Sequence, residues 1–397
     1  MKVTDKFKLE SATIQKARTP LIALAVVGWL VSLAGFAINR DQFYFSYLVS
    51  FVYVLSICLG ALFFVMIQYV TTSGWSVTVR RLAETVMVNV DILAVLFIPV
   101  AIGIPTLFHW SHPEVVNKDL LLQKKAGYLN TTFFIVRAVI YFLVWILLTK
   151  QIYGNSVSQD QNGNPSHTQT NAKWSAPGIL LLFITGSFAA FDWLMSLDPH
   201  WYSTIFGIYF FSGGGVSFVA LLIVIAILLR RSGYLEKAIT VEHYHDLGKL
   251  LFAFTVFWTY IAFSQYFLIW YANIPEETIW YIHRFEGSWK AVSVFLPLGH
   301  FLFPFFALIS RTAKRHLVFL PAMALWILFA HYVDIYWMVM PTHAHHGPNI
   351  KFLFLDLATL AAVVGTVGFV FVSRLGKNAI VPVRDPFLEE SLKFENV

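Results

Sequence analysis

The sequence predicts an all-α integral membrane protein of ten transmembrane helices. Three observations carry that prediction. The 397 residues are 58% hydrophobic and 13% charged, about half the charge fraction of a typical soluble domain. Apolar runs close to 20 residues recur ten times, each the length needed to cross roughly 30 Å of hydrocarbon as a helix. The charged residues gather between those runs. With 38 Phe, 17 Tyr and 13 Trp, the composition excludes disorder and nucleic-acid binding as the main theme. The one cysteine, Cys58, excludes disulfides, Cys-x-x-Cys zinc sites, iron–sulfur clusters and thioether-linked haem within this chain.

The first twenty residues are polar and basic and lack a small-residue cleavage site, so the first span is expected to stay. The predicted spans are 20–38, 45–70, 86–108, 130–149, 176–197, 202–230, 246–272, 288–310, 316–340 and 353–374. The Asn/Gln/Ser-rich stretch 150–175 reads as a mobile cytoplasmic linker. Ten spans place both termini on one side. Most of the 28 Lys and Arg fall on that side, and the other holds only Arg40, Lys118, Lys124, Lys125, Arg284, Lys290 and Lys351. The positive-inside rule therefore predicts cytoplasmic termini.

The polar residues inside the spans suggest a parallel repeat of two four-helix bundles, 45–197 and 202–340, flanked by two peripheral helices. Asp91 starts the third span and Asp246 the seventh. Asp192 is followed seven residues later by Pro199, then His200; Asp334 is followed at the same distance by Pro341, with His343 beyond. Gly213, Gly214 and Gly215 are the best candidates for a broken span, the hallmark of a transporter.

Ionisable groups at membrane depth are expensive and point to function. One cluster, toward the outer face, contains Arg137, Asp192, Asp198, His200, His331, Asp334 and Asp356. His331 and Asp334 share a helix face, and an imidazole beside a carboxylate can accept a proton from a hydroxyl such as that of a quinol. His331, Asp334 and Arg137 thus form a candidate quinone site. The bland reading is that Arg137 neutralises Asp192 or Asp334 to dock helices, and it is preferred for Asp198, His200 and Asp356. A second, cytoplasmic cluster holds Asp91, His245, Asp246 and Lys249. Asp91 is expected to face Asp246 or Lys249 at the inner mouth of a proton path, although Asp246 could simply cap its helix and pair with Lys249. His300 lies between the clusters, with Gln265, Ser264, Tyr260 and Ser187 as candidate relays, or it is a packing residue. His343, His345 and His346 form a weak metal motif, and the few deep histidines disfavour haem.

FDWLMSLDPHWYSTIFGIYFFSGG (191–214) and HDLGKLLFAFTVFWTYIAFSQYFLIWYANIPEET (245–278) resemble the second NrfD-like (polysulfide reductase membrane-subunit-like) subunit of bacterial alternative complex III. The resemblance covers essentially all ten spans. It implies a subunit of a quinol:cytochrome c oxidoreductase in the bacterial inner membrane. It implies no redox cofactor in this chain, a sister NrfD-like subunit beside it, and haem and iron–sulfur clusters in multihaem cytochrome c and iron–sulfur partners. The family's proton-path acids would fall on Asp91, Asp246, Asp192 and Asp334. The expected function is proton translocation coupled to quinol oxidation, with a quinone site. The rivals are a structural scaffold of the same complex and a stand-alone secondary transporter.

Overall fold

A computed structural model describes residues 6–344 and 347–396. Ten helices are long and apolar enough to cross a membrane: α1 (Ser11–Ile38), α2 (Arg40–Val70), α3 (Val77–Ile102), α4 (Thr131–Asn162), α5 (Ser166–Leu197), α6 (Phe206–Arg231), α7 (Val241–Ala272), α8 (Trp289–Leu308), α9 (Phe319–Thr342) and α10 (Ile350–Leu375). No strand occurs among the described residues. The chain is an all-helical, multi-pass architecture.

The stretch 150–175 is not a loop. α4 runs on to Asn162, Gly163 closes it in the left-handed conformation (φ +68°), and α5 begins at Ser166. The polar residues that suggested a linker instead zip the two helices together. Asn155 donates to Asn171 Oδ1 (2.8 Å), Asn171 to the Ile152 carbonyl (3.0 Å) and Gln159 to Thr168 Oγ1 (2.9 Å). A 32-residue helix is about 48 Å long, so this hairpin overshoots the hydrocarbon, and its polar composition reflects water rather than disorder.

Helix α2 is central, buried almost continuously from Gln42 to Tyr69. It packs on α3, α5, α6, α9 and α10, while α1 lies chiefly against α10. α3 touches α4 and α4 touches α5; α6 touches α7 and α9, and α8 lies between α7 and α9. The glycine triplet does not break α6. It lets α6 approach α2 backbone to backbone, since a Cβ on Gly214 would stand 2.5 Å from the Ser56 carbonyl oxygen. α8 does contain a wide turn, a π-helical stretch over Leu296–Leu302 that includes Pro297 and His300. Proline removes a backbone donor, which accounts for the wider turn.

The chain ends lie on one face. There the C-terminal segment folds back over α3 and α7: Asp385 pairs with Arg80, Ser391 donates to the Trp75 carbonyl (2.6 Å), and Asn396 donates to that of Glu242 (3.2 Å). On the opposite face His200 meets Asp119 (2.5 Å), and Trp289 donates to the Ala344 carbonyl (2.6 Å).

Candidate functional site

Helices α6 and α7 converge on Asp334 of α9. Asp334 lies in the second half of α9 and is completely buried, as are His331 and His300. Tyr209 of α6 donates its hydroxyl to Oδ1, and Trp258 of α7 donates Nε1–H to Oδ2 (3.0 Å). His331, one turn before Asp334, has Nδ1 3.9 Å from Oδ2, and its Nε2 lies 2.9 Å from Ser56 Oγ of α2. Gly213 makes room for that ring: a Cβ there would come within 2.7 Å of His331 Cε1. The His300 ring packs on Trp258 with centroids 3.9 Å apart and stands 6.4 Å from the His331 ring. Neither nitrogen of His300 has a hydrogen-bond partner among the described residues. Among those residues no Lys or Arg contacts Asp334. Its carboxyl is held by a phenol and an indole, which stabilise it without neutralising it.

Three of the other predicted acids, Asp192, Asp91 and Asp246, are engaged with cations. Arg137 makes a forked pair with Asp192 (Nε to Oδ2 2.8 Å, Nη2 to Oδ1 2.9 Å), and Tyr141 donates to the same carboxylate (2.8 Å). Arg137 also lies 3.8 Å from the Tyr128 ring centroid. Arg137 therefore docks α4 on α5, and the expected trio of His331, Asp334 and Arg137 does not form around one carboxyl. Asp91 does not face Asp246 or Lys249. Both its oxygens accept from Arg374 of α10 (2.8 Å each), a partner far along the chain that spacing could not reveal. Asp246 pairs with Lys249 within α7, as the bland reading had it, but it is not the helix cap. Thr240 caps α7, with His243 Nδ1 bonded back to the Thr240 N–H (3.1 Å). His245 is buried, with Nδ1 unpartnered among the described residues.

The candidate relays do not reach His300. Gln265 is bound to Tyr281 (3.0 Å) and Ser203 (3.0 Å), and Tyr260 points outward at 65% exposure. His343 stacks on Phe45 with centroids 4.6 Å apart; His345 and His346 lie outside the described residues. Asp356, read as structural, is a second buried carboxyl held by neutral donors: Ser46, Gln42 (3.2 Å) and Tyr336 (3.3 Å). The sequence placed Asp356 near the interface, and its neighbours on α2 and α9 were not legible.

An apolar cleft of about 670 Å³ opens between α7, α8 and the short helix Pro275–Phe285. Tyr209 and Trp258, the two donors to Asp334, form part of its wall, with Tyr281, Ser293 and Trp337 nearer the opposite face. Arg284 stands beside this end. It donates to the carbonyls of Trp337 (3.2 Å) and Met338 (2.8 Å) at the end of α9, under the Trp280 ring. Burial pushes its guanidinium down to about 9. A cation at a helix C-terminus complements the exposed carbonyls there, so Arg284 pins the helix that carries Asp334.

No protein-family model and no curated protein matches this chain.

Proposed function

We propose that the chain is a cofactor-free membrane subunit of a quinol:cytochrome c oxidoreductase of the alternative complex III type, and that it moves protons in step with quinol oxidation. One observation carries the reading: Asp334 is buried in α9 beside His331 and hydrogen-bonded, yet contacts no Lys or Arg among the described residues. A carboxyl there is costly, and an arginine pair would remove the cost. Asp192 has such a pair; Asp334 lacks one, which suits a group that must gain and lose a proton.

The aromatic cleft supports a quinone site, because it is apolar, reachable from the lipid, and walled by the donors to Asp334. His331 and Asp334 belong to that site; Arg137 does not. Asp91, Asp192 and Asp246, each paired with a cation, take the scaffold role. In this reading α2–α5 and α6–α9 are two four-helix groups that meet where α2 packs on α6, with α1 and α10 peripheral. The partners in this reading are a sister NrfD-like subunit and multihaem and iron–sulfur chains, in a bacterial inner membrane with both termini cytoplasmic.

The test is Asp334→Asn in the assembled complex, reconstituted in liposomes with quinol and cytochrome c. Fewer protons moved per electron, or slower turnover, is the expected result. An unchanged proton-to-electron ratio and rate, with normal assembly, refutes the reading.

A further inference from the structure

We propose that protons pass between Asp334 and the terminus face along α2, through His331 and Ser56. This rests on the functional reading above and replaces the inner mouth expected at Asp91 and Asp246. Hydrogen-bond accounting sets the direction of each donor. The Ser56 hydroxyl donates to the Tyr53 carbonyl (2.7 Å), so at the 2.9 Å contact with His331 its oxygen accepts, and Nε2 carries the hydrogen. Nδ1 is then a bare acceptor, fully buried, without a partner among the described residues, and aimed at Asp334 Oδ2 from 3.9 Å. Closing that gap by about 1 Å makes a hydrogen bond.

The space beyond Ser56 continues the line. Ser56 borders a small cavity of about 10 Å³ against α5 and α6, the room one water needs. Gly60, one turn on, borders both this cavity and a cleft of about 380 Å³ between α2, α6 and α7. The cleft continues past Phe64 and Leu250 to Gln68, Thr71 and Ser73 at the end of α2. From Gly60 to Thr71 is about 16 Å of helix, half the hydrocarbon thickness. The glycines keep this line open, since a Cβ on Gly215 would stand 2.9 Å from Phe254 in the cleft wall.

The transfer balances in protons. The O–H of Asp334 breaks as Nδ1–H forms, leaving a carboxylate and an imidazolium. Nε2 then gives its proton to Ser56 Oγ as the serine hydroxyl proton passes to a water in the small cavity. His331 is left neutral in its other tautomer, and the water carries the proton to the cleft. Loading from the terminus face is the same sequence reversed.

Two measurements on the reconstituted complex test the route. Ser56→Ala should slow proton movement at least tenfold with haem content unchanged, and Ser56→Thr, which keeps the hydroxyl, should restore it to within twofold. Leu250→Cys in a Cys58→Ala background should react with a membrane-impermeant, charged thiol reagent added on the terminus side only. Full proton rates in Ser56→Ala, or an unreactive Cys at 250, would overturn the route while leaving the Asp334→Asn result to judge the function. Should Ser56→Ala fail to assemble, the thiol measurement decides by itself.

Discussion

Removing the cation from the Arg137–Asp192 pair separates a structural acid from a working one. In Arg137→Leu, Asp192 keeps only the Tyr141 hydroxyl, and a carboxyl with no exposed surface loses two charge-assisted hydrogen bonds of 2.8 and 2.9 Å. Breaking one side of a buried pair costs about 3–5 kcal/mol, whereas replacing both partners with apolar residues is often neutral or stabilising. Arg137→Leu should therefore lose about 3–5 kcal/mol, and the double substitution with Asp192→Leu should recover most of it. The Arg137 bond to the Tyr128 carbonyl (2.8 Å) is lost in both variants, so a residual deficit of about 1 kcal/mol should remain. Unfolding midpoints in mixed micelles, for the single and double variants, provide the measurement. A double variant no more stable than Arg137→Leu would refute the assignment of Asp192 to helix docking.

Further outcomes follow from the same geometry. Asp91→Asn, at a pair whose side chains are 26% and 23% exposed, should cost less than Arg137→Leu in the same assay, because the pair is less buried than Arg137–Asp192. Trp258→Phe removes one of two donors to Asp334 and should cost about 1.5–3 kcal/mol if that carboxyl is ionised; proton movement measured alongside should slow. Gly163→Ala places a side chain on left-handed backbone and should destabilise the α4–α5 hairpin by about 1–2 kcal/mol, seen as faster amide exchange at 155–171. Asp119 is held below the usual carboxylate range by its hydrogen bond from His200. A depressed carboxyl stabilises above its unfolded value and ceases to do so as pH falls through its folded one. Amide exchange at Leu121 and Leu122, which bond to Asp119, should therefore rise only below about pH 4.

Reading α7 from the sequence succeeded where partners were local. Asp246 and Lys249 lie three residues apart, and they pair. Asp91 failed for the opposite reason: its partner, Arg374, is 283 residues away, and no periodicity links them. The stretch 150–175 failed because polar composition signals water, and water surrounds an extended helical hairpin as readily as a loop. The glycines at 213–215 were noticed for the wrong property. They do not bend α6; they admit the α2 backbone and the His331 ring.

The sequence by itself determined that ten helices are long and apolar enough to cross a membrane and roughly where each lies, because span length and hydrophobicity depend only on consecutive residues. It also determined that a few acids and histidines lie at costly depth. Which of those acids is neutralised was decided only by tertiary structure. Burial affects Asp192 and Asp334 alike, and what separates them is whether a guanidinium or a phenol and an indole arrives from another helix. That depends on how helices distant in the chain come to lie side by side, and charge pairing over such distances leaves no local trace.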